Sequence, residues 1–193
     1  VIVKSMHIDA IDAFIAHDSD LITDVIERDN DVDRLFWLIA RQTNMILHNV
    51  HLSRKMNMNI SEMLPHFQVA RIIERVGDHS VRIALNAKKI QEAEIAEIQG
   101  HIRKASEGAL TTFEKSVESF FTHDLKKANK TIEYMHDLEE SFLKINTELL
   151  SLPVNIAVPL RNITDSIRRS GEYSADIAEN VINYEMMFEK RAL

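Results

Sequence analysis

Apolar residues recur along this chain in alternating steps of four and three, the spacing that keeps one stripe of an α-helix turned toward a partner. Val69, Ile73, Val76, Ser80, Ile83, Ala87 and Ile90 make one such stripe, and Ile163, Ile167, Ser170, Ser174, Ile177, Val181, Tyr184 and Phe188 make another. Val32, Leu35, Ile39, Thr43, Ile46 and Val50 form a third, and Ala128, Ile132, Met135, Phe142, Ile145 and Leu149 a fourth. Two shorter stripes, Ile8, Ile11 and Ile15, then Leu110, Phe113, Val117 and Phe120, complete a set of six predicted helices. Asp18 and Asp124 stand at expected N-caps, because a short carboxylate accepts from the orphan amides of a first turn and complements the helix dipole. Pro65 and Pro159 mark the starts of the two long stripes, where a missing amide costs no internal hydrogen bond.

The pattern is written twice. Pro65, Gly77, Asp78, Ser80, Ile83, Ala84 and Asn86 return 94 residues later as Pro159, Gly171, Glu172, Ser174, Ile177, Ala178 and Asn180. Phe14, His17, Asp18, Glu27 and Asp31 return 106 residues later as Phe120, His123, Asp124, Glu133 and Asp137. Two offsets, each constant over a segment, mean two copies of one unit with a length difference inside it. The predicted fold is all-α: two tandem three-helix bundles, six helices in all, up-down-up in each copy. The expected domains are residues 1–95 and 96–193, with Glu92 to Gly108 joining them. The first copy carries 12 extra residues between Asp31 and Pro65, 34 apart against 22 for Asp137 and Pro159. Six on each arm of the hairpin would lengthen both helices by about 9 Å. Met56 to Asn59 and Leu152 to Asn155 are then the hairpin tips. Glycine inside a helix is costly, so the matched Gly77 and Gly171 predict a close approach of a neighbouring helix backbone.

Composition narrows the class. There is no cysteine, and only 4 glycines and 3 prolines occur in 193 residues, the profile of long helices with few turns. The longest apolar run, Leu35 to Ala40, is six residues, far short of the roughly 20 that span a bilayer. A cytoplasmic protein with no membrane insertion is expected. The first residue is Val1, which predicts a missing amino-terminal part. A formal charge of −7 opposes direct nucleic-acid binding by this segment and favours protein partners or cations.

Carboxylates four apart on a helix share a face and can share a cation. Glu27/Asp31, Asp29/Asp33, Glu74/Asp78, Glu133/Asp137 and Glu172/Asp176 have that spacing, with Arg75, Arg82 and Arg169 nearby as ordinary salt-bridge partners. His48 and His51 are three apart, and Glu133 with His136 matches half of a di-iron motif, which needs a second copy that Asn30 does not supply. Phe36 and Trp37 read as core and lateral packing, and Trp37 becomes a partner contact where it is exposed. Met56, Met58 and Met63 read as hairpin packing. His79 corresponds to Tyr173 and reads as a half-buried polar position. No nucleophile–base set, phosphate loop or catalytic thiol stands at a usable spacing.

The run Val-Ile-Glu-Arg-Asp-Asn-Asp-Val-Asp-Arg-Leu at 25–35 and the run Ala-Arg-Ile-Ile-Glu-Arg-Val-Gly-Asp-His-Ser-Val-Arg-Ile-Ala at 70–84 resemble the second and third helices of PhoU domains. The stretch 166–180 is similar but more diverged. The resemblance covers almost the whole chain. It implies a non-enzymatic regulator of phosphate uptake and phosphate homeostasis. Its implied partners are a phosphate ABC transporter, a phosphate-signalling kinase or transcription machinery. The form resembles archaeal PhoU-like regulators, some of which carry an AbrB-like DNA-binding domain before the two bundles. Uncovered helix faces add a homodimer to the expectations. Some PhoU-like proteins hold iron or zinc clusters on Glu/Asp-x-x-x-Asp motifs, which here puts a metal on Glu74, Asp78, Glu172, Asp176, Asp29 and Asp33. The alternative reading is therefore a metal-binding bundle acting as sensor or store. The chain departs from the motif where Arg168 stands opposite Glu74 in the repeat, and where Phe36 and Ala40 fall at a further acidic pair of the second helix. Asp176 then offers Glu172 a substitute partner one turn on.

Overall fold

The computed structural model describes residues 2–55, 57–58, 60–90 and 95–189. Among them are seven helices and no strand: α1 (Ile2–Ala16), α2 (Ser19–His48), α3 (Val50–Lys55), α4 (Ile60–Ala87), α5 (Ala96–Thr122), α6 (Leu125–Leu149) and α7 (Val154–Glu189). Each repeat has three long antiparallel helices, α1, α2 and α4 in the first, and α5, α6 and α7 in the second. The seventh helix is α3, a short segment beyond Asn49, which the six-helix reading did not contain.

Matched His-Asp pairs make the turns between the first and second helices. His17 and His123 take positive φ angles of 54° and 53°. The next amides, of Asp18 and Asp124, close back on Ala13 and Ser119 carbonyls at 3.1 Å. That wrapped ending satisfies carbonyls the helix leaves over. The same aspartates then cap the following helix: Asp18 accepts from the amides of Asp20 and Leu21, both at 3.0 Å, and Asp124 from Lys127 at 3.0 Å. One dipeptide thus stops one helix and starts the next, which is why it recurs.

The extra length of the first repeat lies on one arm only. α4 begins at Ile60 and α7 at Val154, each five residues before its proline. The 12 additional residues are five more of α2, then Asn49, then the six of α3. The even split over both arms is therefore corrected: the breaking point is Asn49, whose φ of −138° and ψ of 94° leave the helical region. Pro65 and Pro159 lie inside α4 and α7, not in their first turns, so each removes one internal hydrogen bond. The connection between repeats is shorter than expected, because α5 starts at Ala96. Met56 and Asn59 of the predicted tip, Glu92 of the predicted connection and the side chains of Val50 and Phe188 fall outside the described residues.

α4 and α7 pack on each other at the centre, α1 meets α5 beside them, and α2 and α6 lie outside. One apolar core runs through both repeats, from Met6, Phe14, Val76 and Ile83 to Ile102, Phe142, Ile163 and Ile177. Most stripe residues are in it. Ile8 and Leu35 are exceptions, exposed on the outer faces of α1 and α2. Met63 is buried, as hairpin packing requires. Among the described residues no helix is long and apolar enough to cross a membrane.

Candidate functional site

Asp29 and Asp33 stand one turn apart on α2, and Glu74 and Asp78 one turn apart on the facing side of α4. All four are half-buried. Burial pushes the Asp29 carboxyl up to about 6, and the charges of Asp78 and Asp33 push in the same direction. Glu74 is raised by burial, then by Asp78 and Asp33, against the pull of Arg71 and Arg75. Asp78 is raised by burial and by Asp33, opposed by Arg82 and Arg75. The predicted residues of the first repeat are thus brought into one mutually repelling group. Asp29 Oδ1 is buried with no hydrogen-bond partner. A Cβ on Gly77 would sit 3.6 Å from that oxygen and 3.4 Å from Val32 Cγ1, ordinary contact distances. The close approach of a neighbouring helix backbone expected at the matched glycines is not found: side chains lie over both, and only at Gly171 is the approach tight, with Met135 Sδ 2.6 Å from such a Cβ.

The second repeat answers each position differently. Met135 replaces Asp29 and is buried; Glu139 replaces Asp33 and is exposed; Arg168 replaces Glu74; Glu172 replaces Asp78. Arg168 donates to Glu172 Oε1, and Arg169 Nη1 donates to Glu172 Oε2 at 2.8 Å. Asp176 is exposed, in a polar groove with Arg71, Arg75, Glu179 and Asn180 between α4 and α7. Six carboxylates were grouped by the sequence; four stand together and two lie in the other repeat, one of them neutralised by arginines.

Oxygen-only donors suit a hard cation, and an orphaned buried carboxylate oxygen is the observation that fits one to the first repeat. Among the described residues, however, no three His, Asp or Glu side chains stand close enough together to hold a metal ion. A cation there requires the four carboxylates to close in. In the second repeat both oxygens of Glu172 are already taken by arginines. The outer pairs are solvated: Glu27, Asp31, Glu133 and Asp137 are exposed, and Asp31 pairs with Arg34. His48 and His51 fall on different helices across Asn49, and Glu133 and His136 are exposed side chains.

Two features lie outside the predicted carboxylate pairs. The first is a buried histidine pair at the seam between repeats. His7 on α1 is fully buried, with Nε2 2.9 Å from Ser106 Oγ of α5. His79 on α4 is buried, not half-buried, and packs its ring 5.6 Å from Tyr173 of α7. Burial lowers both to about 4; the His79 charge adds to the effect on His7, and Arg82 and Arg169 add to that on His79. The second is the surface of α2. Trp37 is 59% exposed, against the expectation of core packing, and tilts onto Phe36, which stacks on Phe67 of α4. Phe36 also lines an apolar groove of about 380 Å³ with Val32, Ala70, Ile73 and Phe113, and Glu74 stands at its rim.

Comparison with known proteins places this arrangement. The family model described as the PhoU domain matches residues 1–87 and again 102–181. Among solved structures, the chain is similar to PhoU from Pseudomonas aeruginosa, with a TM-score of 0.86, 19% identity, and coverage of 96% of this chain and 90% of that one. It is also similar to the phosphate transport system regulatory protein PhoU from Streptococcus pneumoniae, with a TM-score of 0.83, 17% identity, and coverage of 95% and 87%. No curated protein sequence matches.

Proposed function

The chain belongs to the PhoU domain family, and from that premise we propose that it is a non-enzymatic regulator of phosphate uptake and phosphate homeostasis. It acts by contact, on a phosphate transporter or on the kinase or transcription machinery that reads phosphate supply. The observation that carries this reading is the family match to both repeats, which together account for most of the chain. The chemistry agrees with a contact role. The buried polar groups at the centre are serines, threonines and two histidines, and the one Ser–His contact described among them, His7 with Ser106 at 2.9 Å, is closed inside the packing of α1 against α5. A cytoplasmic location and a homodimer belong to the same proposal, as does a division into units near residue 95.

Cells lacking the gene and grown in ample phosphate should take up phosphate faster than the parent, and the wild-type gene should restore restraint. Unchanged uptake, with the protein shown to be expressed in the parent, would remove the proposal. Glu74→Ala with Asp78→Ala tests the site within it. If that variant folds and restrains uptake as the wild type does, the carboxylate group is not where regulation acts.

A second reading has its own observation. The orphaned Asp29 Oδ1 and the raised carboxyls of its neighbours favour the arrival of positive charge, so the first repeat is the place where iron or another hard cation would be held and sensed. Elemental analysis of protein purified without chelator tests it; a metal content below about a tenth of an equivalent per chain would discard it.

A further inference from the structure

The two repeats treat the same location in opposite ways. In the first, four carboxylates face one another across α2 and α4, and one buried oxygen has no partner. In the second, the position of Glu74 is filled by a guanidinium already engaged with the position of Asp78. A guanidinium stays protonated at any physiological pH and donates in a fixed fork. Both oxygens of Glu172 are occupied, by Arg168 and by Arg169. Of the other two donors of the first repeat, Asp33 has become Glu139, which is exposed, and Asp29 has become Met135, whose sulfur would lie 2.6 Å from a Cβ on Gly171. Its thioether fills the space under the glycine with apolar volume and offers no carboxylate oxygen.

We infer that Arg168 is the built-in counter-ion of the second repeat, hydrogen-bonded in the place that a bound cation would take in the first. Glu172, the acid of α7 that matches the first-repeat group, is thereby closed to a cation. A divalent ion entering the second repeat would have to displace Arg168 from Glu172 and leave its guanidinium half-buried beside another positive charge, a cost that a single freed carboxylate does not offset. The inference concerns the second repeat alone, and it holds whether or not the first repeat takes up metal.

The test uses the full chain with the first repeat disabled by Glu74→Gln and Asp78→Asn, compared with the same background carrying Met135→Asp and Arg168→Glu. Mn²⁺ is the probe because it prefers oxygen donors over exposed histidines. Free Mn²⁺ is read by its electron paramagnetic resonance signal, and thermal unfolding is followed with and without the ion. With Arg168 in place, no saturable Mn²⁺ binding and no ion-dependent rise in melting temperature are expected. With the two acids restored, about one equivalent should bind, and the protein should melt lower without Mn²⁺ than with it. Saturable binding that persists with Arg168 present and vanishes on Glu172→Gln overturns the inference. So does a restored variant that folds and stays indifferent to the ion. If the double replacement does not fold, Arg168→Glu alone keeps Met135 in its packing site. It must then show the same ion-dependent rise in melting temperature, and a flat response counts against Arg168 as the determinant.

Discussion

His7 Nε2 and Ser106 Oγ lie 2.9 Å apart across the contact between α1 and α5, and the other ring nitrogen of His7 is buried without a partner. The imidazole is neutral in the folded chain: its ordinary pKa of 6.5 falls to about 4, through burial first and the neighbouring His79 second. A lowered histidine contributes stability that is complete above the unfolded value and is lost as pH falls toward the folded one. Urea unfolding should therefore weaken from pH 6.5 down to about 4, by about 3 kcal/mol for His7. His7→Phe, which copies Phe113 of the other repeat, should flatten that dependence; an unchanged slope would mean that other groups set it.

Asp29 titrates with the opposite sign in an overlapping window. Its folded pKa is raised, to about 6, so the charged form is disfavoured above that value and the strain is relieved as pH falls through it. Asp29→Asn should raise the melting temperature at pH 8, and the advantage should shrink as pH falls below about 6 and be gone at about 4. The carboxyl is partly solvated, so the gain is roughly 1 kcal/mol, with screening removing most of the nominal shift. A variant that is less stable at pH 8 would show that the charge is already satisfied, by a bound cation or otherwise.

The matched glycines separate by what lies above them. A Cβ on Gly77 meets nothing closer than 3.4 Å, whereas one on Gly171 lands 2.6 Å from Met135 Sδ and 3.1 Å from its Cε. Alanine in a helix interior is better than glycine by roughly 0.5–1 kcal/mol. Gly77→Ala should therefore stabilise by about that amount, while Gly171→Ala should gain less or lose, because Met135 must change rotamer first. Thermal melts of the two variants decide it; equal gains would show that Met135 moves at no cost.

These contrasts mark the border of what the sequence discloses. Helix stripes, the two caps and the duplicated His-Asp turn depend on neighbours a few residues apart, and they are readable directly. The 12-residue excess was readable as a length but not as a place, since only Asn49 leaving helical geometry puts it all on one arm. Arg168 was visible opposite Glu74, yet its engagement with Glu172 depends on side-chain direction. The convergence of Asp29 with Asp78 depends on the register of α2 against α4, which periodicity does not determine. His7 was hidden because the stripe read on its helix was Ile8, Ile11 and Ile15, whereas the buried face also carries Val3, Met6, Ala10 and Phe14 around it; its alignment with Phe113 was a signal that it is buried.

Trp37 gives the last prediction, on the exposed face of α2. It is the sole tryptophan of the chain, and it is 59% exposed beside Phe36, with ring centroids 5.8 Å apart. An exposed aromatic contributes little to a monomer's stability but anchors interfaces well. Trp37→Ala should shift the melting temperature by no more than about 2–4 °C and leave the helical circular dichroism unchanged. The wild-type emission should be red-shifted and readily quenched by acrylamide in the free chain. On addition of the regulatory partner it should shift to the blue, and Trp37→Ala should weaken that partner by at least tenfold, the loss of about 1.4 kcal/mol. A buried, quench-resistant emission at all dilutions would place Trp37 in a self-association interface instead, and partner affinity unaffected by the substitution would move the contact surface off α2.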